Sequence, residues 1–130
     1  MGTVEIQIRT SQRVQARNIT REVSKAVQGR TGSLLHVYTP HTTCGLTINE
    51  EADPHVTQDI MEALDRTVPR NYPYKHMEGN SDAHIKSTIT GCAVTVPFSQ
   101  SGPALGTWQG IFLMEFDGPR ERKIFVTILE

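Results

Sequence analysis

Apolar and polar positions alternate at the start of the chain. Val4, Ile6 and Ile8 are interleaved with Glu5, Gln7 and Arg9, the period-two mark of a strand with one buried face. Val14 to Ile19 reads as a second strand, predicted to pair with the first across the polar turn at Ser11 to Arg13. The period then changes. Thr20 offers an N-cap, and Ile19, Val23, Ala26 and Val27 form one helical stripe that Gly29 ends. Leu34–Tyr38 and Cys44–Ile48 read as two further strands, joined by a loop that carries Pro40, His41, Thr42 and Thr43. Asp53-Pro54 is a strong helix start, with an Asp N-cap before Pro at the first helical position. Val56, Ile60, Leu64 and Val68 follow on one face, Gln58, Asp59, Glu62 and Asp65 on the other, and Pro69 stops the helix.

The stretch RNYPYKHMEGN, residues 70–80, is a long polar loop with two tyrosines, the kind of segment that carries function. Ser81 or Asp82 is predicted to cap a short helix running through Ile89 and closed by Gly91. Ala93–Phe98, Gly110–Phe116 and Lys123–Leu129 are the remaining strands, with DGPRE (117–121) as the turn between the last two. Ile111 to Met114 and Ile124 to Leu129 are apolar on nearly both faces, so those strands are central. Three short helices cannot cover both sides of them, which calls for a second sheet or a neighbouring subunit. The order β-β-α-β-β-α-α-β-β-β lacks regular β-α alternation. The fold class is therefore α+β, with mixed or antiparallel sheets and three short helices in a single domain over residues 1–130.

Charge and cysteine content narrow the function classes. Thirteen Lys and Arg against fourteen Asp and Glu give a net charge of −1, so no global field favours nucleic acid or anionic membrane. No segment approaches membrane-spanning length, and the opening MGTVEIQIRT has no apolar run of a secretory signal. Ile6 stands where N-myristoylation requires Ser or Thr. Cys44 and Cys92 are far apart, without CxxC spacing, and both lie in strand patterns where buried thiols are expected. Together these features predict a cytoplasmic protein.

Chemistry concentrates in the histidines. His36 alternates with Leu34 and Tyr38 in a strand, and His55 sits in the first turn of an acid-started helix, so both read as packing or surface residues. His41, His76 and His84 each lie in or beside a loop. Two readings stay open for these three: a Zn²⁺ site of imidazoles plus water, or independent loop histidines. At such a site Glu50, Asp53, Glu115 and Asp117 are candidate bases or orienting groups, although helix capping already accounts for Asp53. Glu115 interrupts an apolar strand and needs a cationic partner, Arg120 or Arg122, with a structural ion pair favoured over catalysis. Thr42, Thr43 and the Asn80-Ser81-Asp82 helix start, with Arg120 or Lys86 nearby, could hold a phosphate; the glycines of SGPALGTWQG read more simply as turn chemistry.

Three blocks carry a resemblance: HTTCGLTINEEADP (41–54), YKHMEGNSDAHIKSTITG (74–91) and LGTWQGIFLMEFDGPRERKIFV (105–126). They resemble the signature blocks of the YjbQ family, small proteins often labelled secondary thiamine-phosphate synthases. The resemblance implies an α+β homotrimer with a metal, zinc by the nature of its ligands, held by His41, His76 and His84. Asn49, Glu50, Asn80, Gln109, Glu115, Asp117 and Arg120 fall on the family's polar motif positions. Glu50, Glu115 and Arg120 stand as catalytic candidates, and Thr42, Thr43, Asn49, Asn80 and Gln109 as ligand-binding candidates. The function implied is an enzyme acting on a phosphorylated small molecule. A zinc-hydroxide hydrolase and a non-enzymatic trimeric scaffold with structural histidines are the alternatives. Cys44 departs from the small residue, such as Ala, common at that position in the family.

Overall fold

The computed structural model describes residues 2–130, so Met1 of the opening stretch lies outside it. The elements follow in the order β1 (Thr3–Arg9), β2 (Gln15–Asn18), α1 (Thr20–Ala26), β3 (Leu34–Tyr38), β4 (Cys44–Glu50), α2 (Pro54–Thr67) and α3 (Ser81–Thr90). Strands β5 (Ala93–Ser99), β6 (Gly102–Pro103), β7 (Gln109–Glu115) and β8 (Glu121–Leu129) complete the chain. They build a five-stranded sheet in the order β1-β8-β3-β5-β6 and a three-stranded sheet in the order β2-β7-β4. Every strand pairing is antiparallel. The fold is α+β, as its pattern of elements predicts.

The two sheets face each other across one core. Ile124, Val126 and Ile128 of β8, Leu35 and Val37 of β3, and Ile111 and Leu113 of β7 are all nearly inaccessible within it. Alternation on β7 sends the intervening Phe112, Met114 and Phe116 to the other side, against Ile60, Met61 and Leu64 of α2 and Ala83 of α3. The two-sided apolar run of β7 is thus covered within the chain, by a sheet on one face and helices on the other. The five-stranded sheet keeps an open outer face. There Leu34 opposes Leu129 and Tyr38 opposes Phe125, with the Tyr38 and Phe125 rings stacked at 6.3 Å.

Two connections differ from the sequence expectation. Residues 14–19 do not form a hairpin with β1; β2 pairs with β7 instead, Ala16 opposite Met114. DGPRE is likewise no hairpin turn, because β7 and β8 belong to different sheets. The physical reason is shared. Thr10 N–H donates to the Arg120 carbonyl at 2.9 Å and Gly118 N–H to the Arg13 carbonyl at 2.9 Å. The β1–β2 and β7–β8 connections therefore run side by side as sheet-to-sheet crossovers, each satisfying the other's backbone. The β3–β4 loop makes a third crossover. Given the antiparallel registers, all three lie at one end of the sandwich.

Among the described helices α2 alone starts at a side-chain cap; α1 starts after Ile19 rather than at the Thr20 cap expected, and makes none. Asp53 Oδ1 accepts the His55 N–H at 2.9 Å with Pro54 at the first helical position. The α3 helix begins one residue earlier than Ser81 capping predicts, with Asn80 at the N-cap position, and closes on Gly91 at φ 95°. It lies close on β4 at Gly45, where an added Cβ would stand 2.7 Å from the Thr90 side chain and 2.8 Å from the Gly91 carbonyl.

Candidate functional site

The crossover end is pinned by a buried ion pair that strand alternation dictates. On β7 the odd residues face the opposing sheet, and the last of these is Glu115. On β8 the even residues do so, and the first is Arg122. Both are almost wholly inaccessible. Arg122 Nε donates to Glu115 Oε1 at 2.9 Å, and its Nη2 reaches Oε2. The same Nη2 donates to the Thr43 hydroxyl at 2.9 Å and the Thr43 carbonyl at 3.1 Å. Thr10 Oγ1 donates to Glu115 at 2.8 Å, and the Asp117 amide does so at 3.0 Å. One carboxylate thus ties together all three crossovers. Glu115 and Thr43, candidates for catalysis and ligand binding by sequence, are committed to this brace.

The β3–β4 crossover positions His41. In the β3–β8 register Tyr38 opposes Phe125, so the residue opposite Lys123 is Pro40, where the main chain turns away. Two side chains take over the ladder. Thr39 Oγ1 donates to the Lys123 carbonyl at 3.0 Å, and His41 Nε2 accepts the Lys123 N–H at 2.9 Å. An imidazole that accepts at Nε2 carries its proton on Nδ1. Burial, with Arg122 second, holds the His41 pKa below its ordinary 6.5, while Glu115 pulls the other way and Arg120 and Lys123 add to the depression. His41 is a neutral ring that presents an N–H donor.

That depression has a sign in stability. The unfolded chain takes up a proton near 6.5 while the folded His41 does not, so stability falls as pH drops through that value. His41→Gln keeps an acceptor for Lys123 but does not titrate. Urea unfolding at about pH 7.5 and about pH 5.5 should show a smaller loss in the variant than in the wild type. Equal losses would contradict the assignment.

His41 lines a cleft of about 530 Å³ between the β3–β4 crossover and α3, shared with Tyr38, Thr42, His84, Thr88 and Cys92. Cys92 reaches this cleft and is exposed, contrary to its strand-like sequence context, because it follows the Gly91 helix stop and precedes β5. Cys44 is buried as expected, and burial raises its thiol pKa above the ordinary value. The His76 ring meets His84 edge to face, with centroids 5.5 Å apart and planes at 90°.

These positions test the fit of a metal. Two imidazoles on one tetrahedral zinc, with Zn–N of about 2.0–2.1 Å, hold their ring centroids about 5 Å apart. The His76 and His84 centroids are close to that spacing, which an edge-to-face contact of two rings also has without an ion, and two imidazoles fall short of the three protein ligands of a catalytic zinc. His41 does not fit as a third ligand, since its Nε2 lone pair is taken by the β8 backbone and Nδ1 bears the proton. Among the described residues no group of three His, Cys, Asp or Glu side chains comes together to hold an ion.

Of the other candidates, Thr42 lines the cleft and the rest do not. Arg120 bonds Asp117, through Nη2 to the carboxylate and Nε to the carbonyl, both at 2.9 Å, and Asn80 Nδ2 donates to the same carboxylate at 2.8 Å. Glu50, Asn49 and Gln109 line a separate surface pocket beside the exposed Trp108. There Glu50 accepts the Ala52 N–H at 3.1 Å, and Gln109 accepts the Gly106 N–H at 2.8 Å. Lys86, considered for phosphate, is buried between Asp82 and Asp65. His36 lies on the open sheet face, bonded to Thr95 at 2.8 Å, and His55 is exposed beside Asp53. Sequence reasoning missed Thr39, Thr88 and Cys92. Only the Gly91-Cys92 step, a helix stop running straight into a strand, signalled an accessible thiol.

The comparisons with known proteins agree on one family. A UPF0047 protein of Methanocaldococcus jannaschii is 46% identical over 125 residues, covering 95% of this chain and 91% of that protein. The UPF0047 protein YugU of Bacillus subtilis is 42% identical over 127 residues, covering 95% and 96%. The crystal structure of an uncharacterised conserved YjbQ/UPF0047 protein from Clostridium acetobutylicum superposes with a TM-score of 0.92 at 48% identity, covering 97% and 99%. A conserved hypothetical protein of Thermus thermophilus gives a TM-score of 0.92 at 45% identity, also covering 97% and 99%. The family model described as UPF0047 protein YjbQ-like matches residues 4–130, and the chain belongs to that family.

Proposed function

We propose that the protein is an enzyme that binds a phosphorylated small molecule in the cleft between the β3–β4 crossover and α3. The observation that carries this reading is the shared wall of His41 and His84, with the His76 ring set edge to face against His84. His41 offers a neutral N–H fixed by the β8 backbone, and the Thr42 and Thr88 hydroxyls line the same cleft. Among the described residues no carboxylate lines it, so a phosphoryl oxygen meets donors without like-charge repulsion from the wall. In this reading the Glu115–Arg122 brace serves to hold these groups in place from behind.

Zinc on the His76–His84 side would supply a Lewis acid for a phosphoryl oxygen. Glu50 and Glu115 are not among the residues lining the cleft, which favours the phosphate-binding reading over a zinc-hydroxide hydrolase with either as its base. Self-association as a homotrimer is supported by the open sheet face, where Leu34, Tyr38 and Leu129 are each close to 40% exposed. The concrete reaction suggested by the family label joins a hydroxymethylpyrimidine diphosphate to a thiazole phosphate, with pyrophosphate leaving.

Elemental analysis of protein purified without added metal tests the site. Zinc should be lost in His76→Ala and in His84→Ala and retained in His41→Ala, while turnover of the two thiamine precursors falls in all three. Zinc lost from His41→Ala would restore a three-imidazole ligand set. Zinc retained in all three, or no turnover by the wild type above His41→Ala, would remove the support for the metal or for the synthase reaction respectively. Light scattering on the wild type should give three times the 14.5 kDa chain mass, and a monomer would end the trimer reading.

A further inference from the structure

A second cleft lies at the far end of β5. That strand starts next to Cys92 in the histidine cleft and ends at Ser99, so six or seven residues of extended chain separate the two places by about 20 Å. The far cleft, about 750 Å³, opens between one side of α1 with the turn after it and the β5–β6 hairpin. That volume lies in the range of small-molecule sites.

Its lining is unlike the surface of a chain with net charge −1. Arg21, Lys25 and Arg30 contribute three cations, and among the described residues no Asp or Glu lines it. Arg21 and Lys25 stand one helical turn apart, an arrangement in which like charges repel. Neither has an ion-pair partner among the described residues. The acid of that helix, Glu22, is turned aside onto Arg17 at 2.9 Å. Arg30 donates one N–H to the Gly2 carbonyl at 3.3 Å, which leaves the rest of its fork available. Between the cations the lining is mixed, with Ser24, Gln28, Thr31, Gln100 and Ser101 around a small apolar patch. Val27 and Phe98 belong to the buried core, and Pro103 of β6 adds a ring at the side.

We propose that this cleft is a binding site for a small organic phosphate. Arg21, Lys25 and Arg30 neutralise the phosphate, and the ligand's apolar body rests on Val27, Phe98 and Pro103. Three cations in one cleft without a carboxylate favour a dianion, and the apolar patch of Val27, Phe98 and Pro103 favours an esterified phosphate over the free ion. The cations cluster in one cleft, which suits a compact ligand better than the extended stripe that a nucleic acid backbone occupies. The site stands independently of the reading of the histidine cleft.

Isothermal titration with phenyl phosphate, inorganic phosphate and phenol tests it, using the full chain as purified. Phenyl phosphate should bind more tightly than either fragment. Arg21→Ala/Lys25→Ala should weaken it about tenfold or more, and should do so equally in a His84→Ala background, which removes the histidine cleft's share of the binding. Both altered residues of the double variant are exposed, so it should fold, and its unfolding midpoint provides the check. No binding by the wild type at millimolar phenyl phosphate would overturn the proposal. So would unchanged affinity in a folded double variant, or phenyl phosphate binding no better than inorganic phosphate. Loss of all binding in His84→Ala would also overturn it, by assigning the phosphate to the histidine cleft.

Discussion

Arg122→Ala should destabilise the protein by about 3–5 kcal/mol, the range for removing one partner of a buried ion pair. In a domain of this size that lowers the melting temperature by about 10–20 °C. The loss arises from the partner left behind. Glu115 is inaccessible, and without the guanidinium its carboxylate keeps only Thr10 Oγ1 at 2.8 Å and the Asp117 amide at 3.0 Å. The Thr43 hydroxyl loses the guanidinium as well, and the Thr43 carbonyl keeps only the Phe116 N–H at 3.2 Å. The double variant Glu115→Gln/Arg122→Met removes both charges and should recover most of the loss, because the desolvation of an unpaired carboxylate disappears. Urea unfolding of the single and double variants measures the difference. A single variant within about 1 kcal/mol of wild type, or a double variant no better than the single, would show that the pair is not the brace of the crossover end.

The reach of the sequence can be judged at this same place. Glu115 stands out in any reading, because a carboxylate in Ile-Phe-Leu-Met-Glu-Phe demands a partner. Period-two alternation even gives its direction, toward the side of Ile111 and Leu113. Alternation cannot say which arginine answers. Arg120 lies before β8 begins, and only Arg122 sits within the strand at the inward parity of Ile124 and Val126. That choice requires knowing that the β7–β8 connection crosses between sheets. A tight DGPRE hairpin would have set β7 beside β8 in one sheet, and Arg120 would have been the nearer candidate. The error over β2 has the same origin: short polar connections look alike whether they reverse a strand within one sheet or carry it to another.

Helix ends were legible where a cap is local chemistry, whereas α1 has Ile19 rather than Thr20 at its N-cap, makes no side-chain cap, and ends at Ala26, short of Gly29. Asp53-Pro54 sets the start of α2, and Gly91 the end of α3. The histidines were legible as loop residues but not in their roles. The neutral state of His41 depends on Pro40 lying opposite Lys123, a register fact between residues far apart in the chain. His76 and His84 meet because the loop of residues 70–80 folds back on the helix it precedes. Nothing in their spacing of eight residues announces that contact.

Lys86→Ala is the second large effect expected, and it reports on α3, the helix that carries His84. Lys86 is inaccessible, and its ammonium lies between Asp65 of α2 and Asp82 one turn earlier on α3. The two acids fare differently when it is removed. Asp65 is half exposed and regains water, whereas Asp82 stays buried with only the Arg13 guanidinium, at 3.3 Å. The cost therefore falls on Asp82, and because one cation remains it should lie near the lower end of the buried-pair range, at about 3 kcal/mol. Asp82→Asn in the Lys86→Ala background should return a large part of it, since a neutral amide needs no counter-charge. Added salt should alter the wild-type contribution little, because the pair is shielded from the ions that screen exposed bridges. A Lys86→Ala protein as stable as the wild type would mean that α3 is held by its apolar contact at Ala83, the Ser87–Cys44 hydrogen bond and the close approach at Gly45. The position of His84 would then owe nothing to the buried ammonium beneath it.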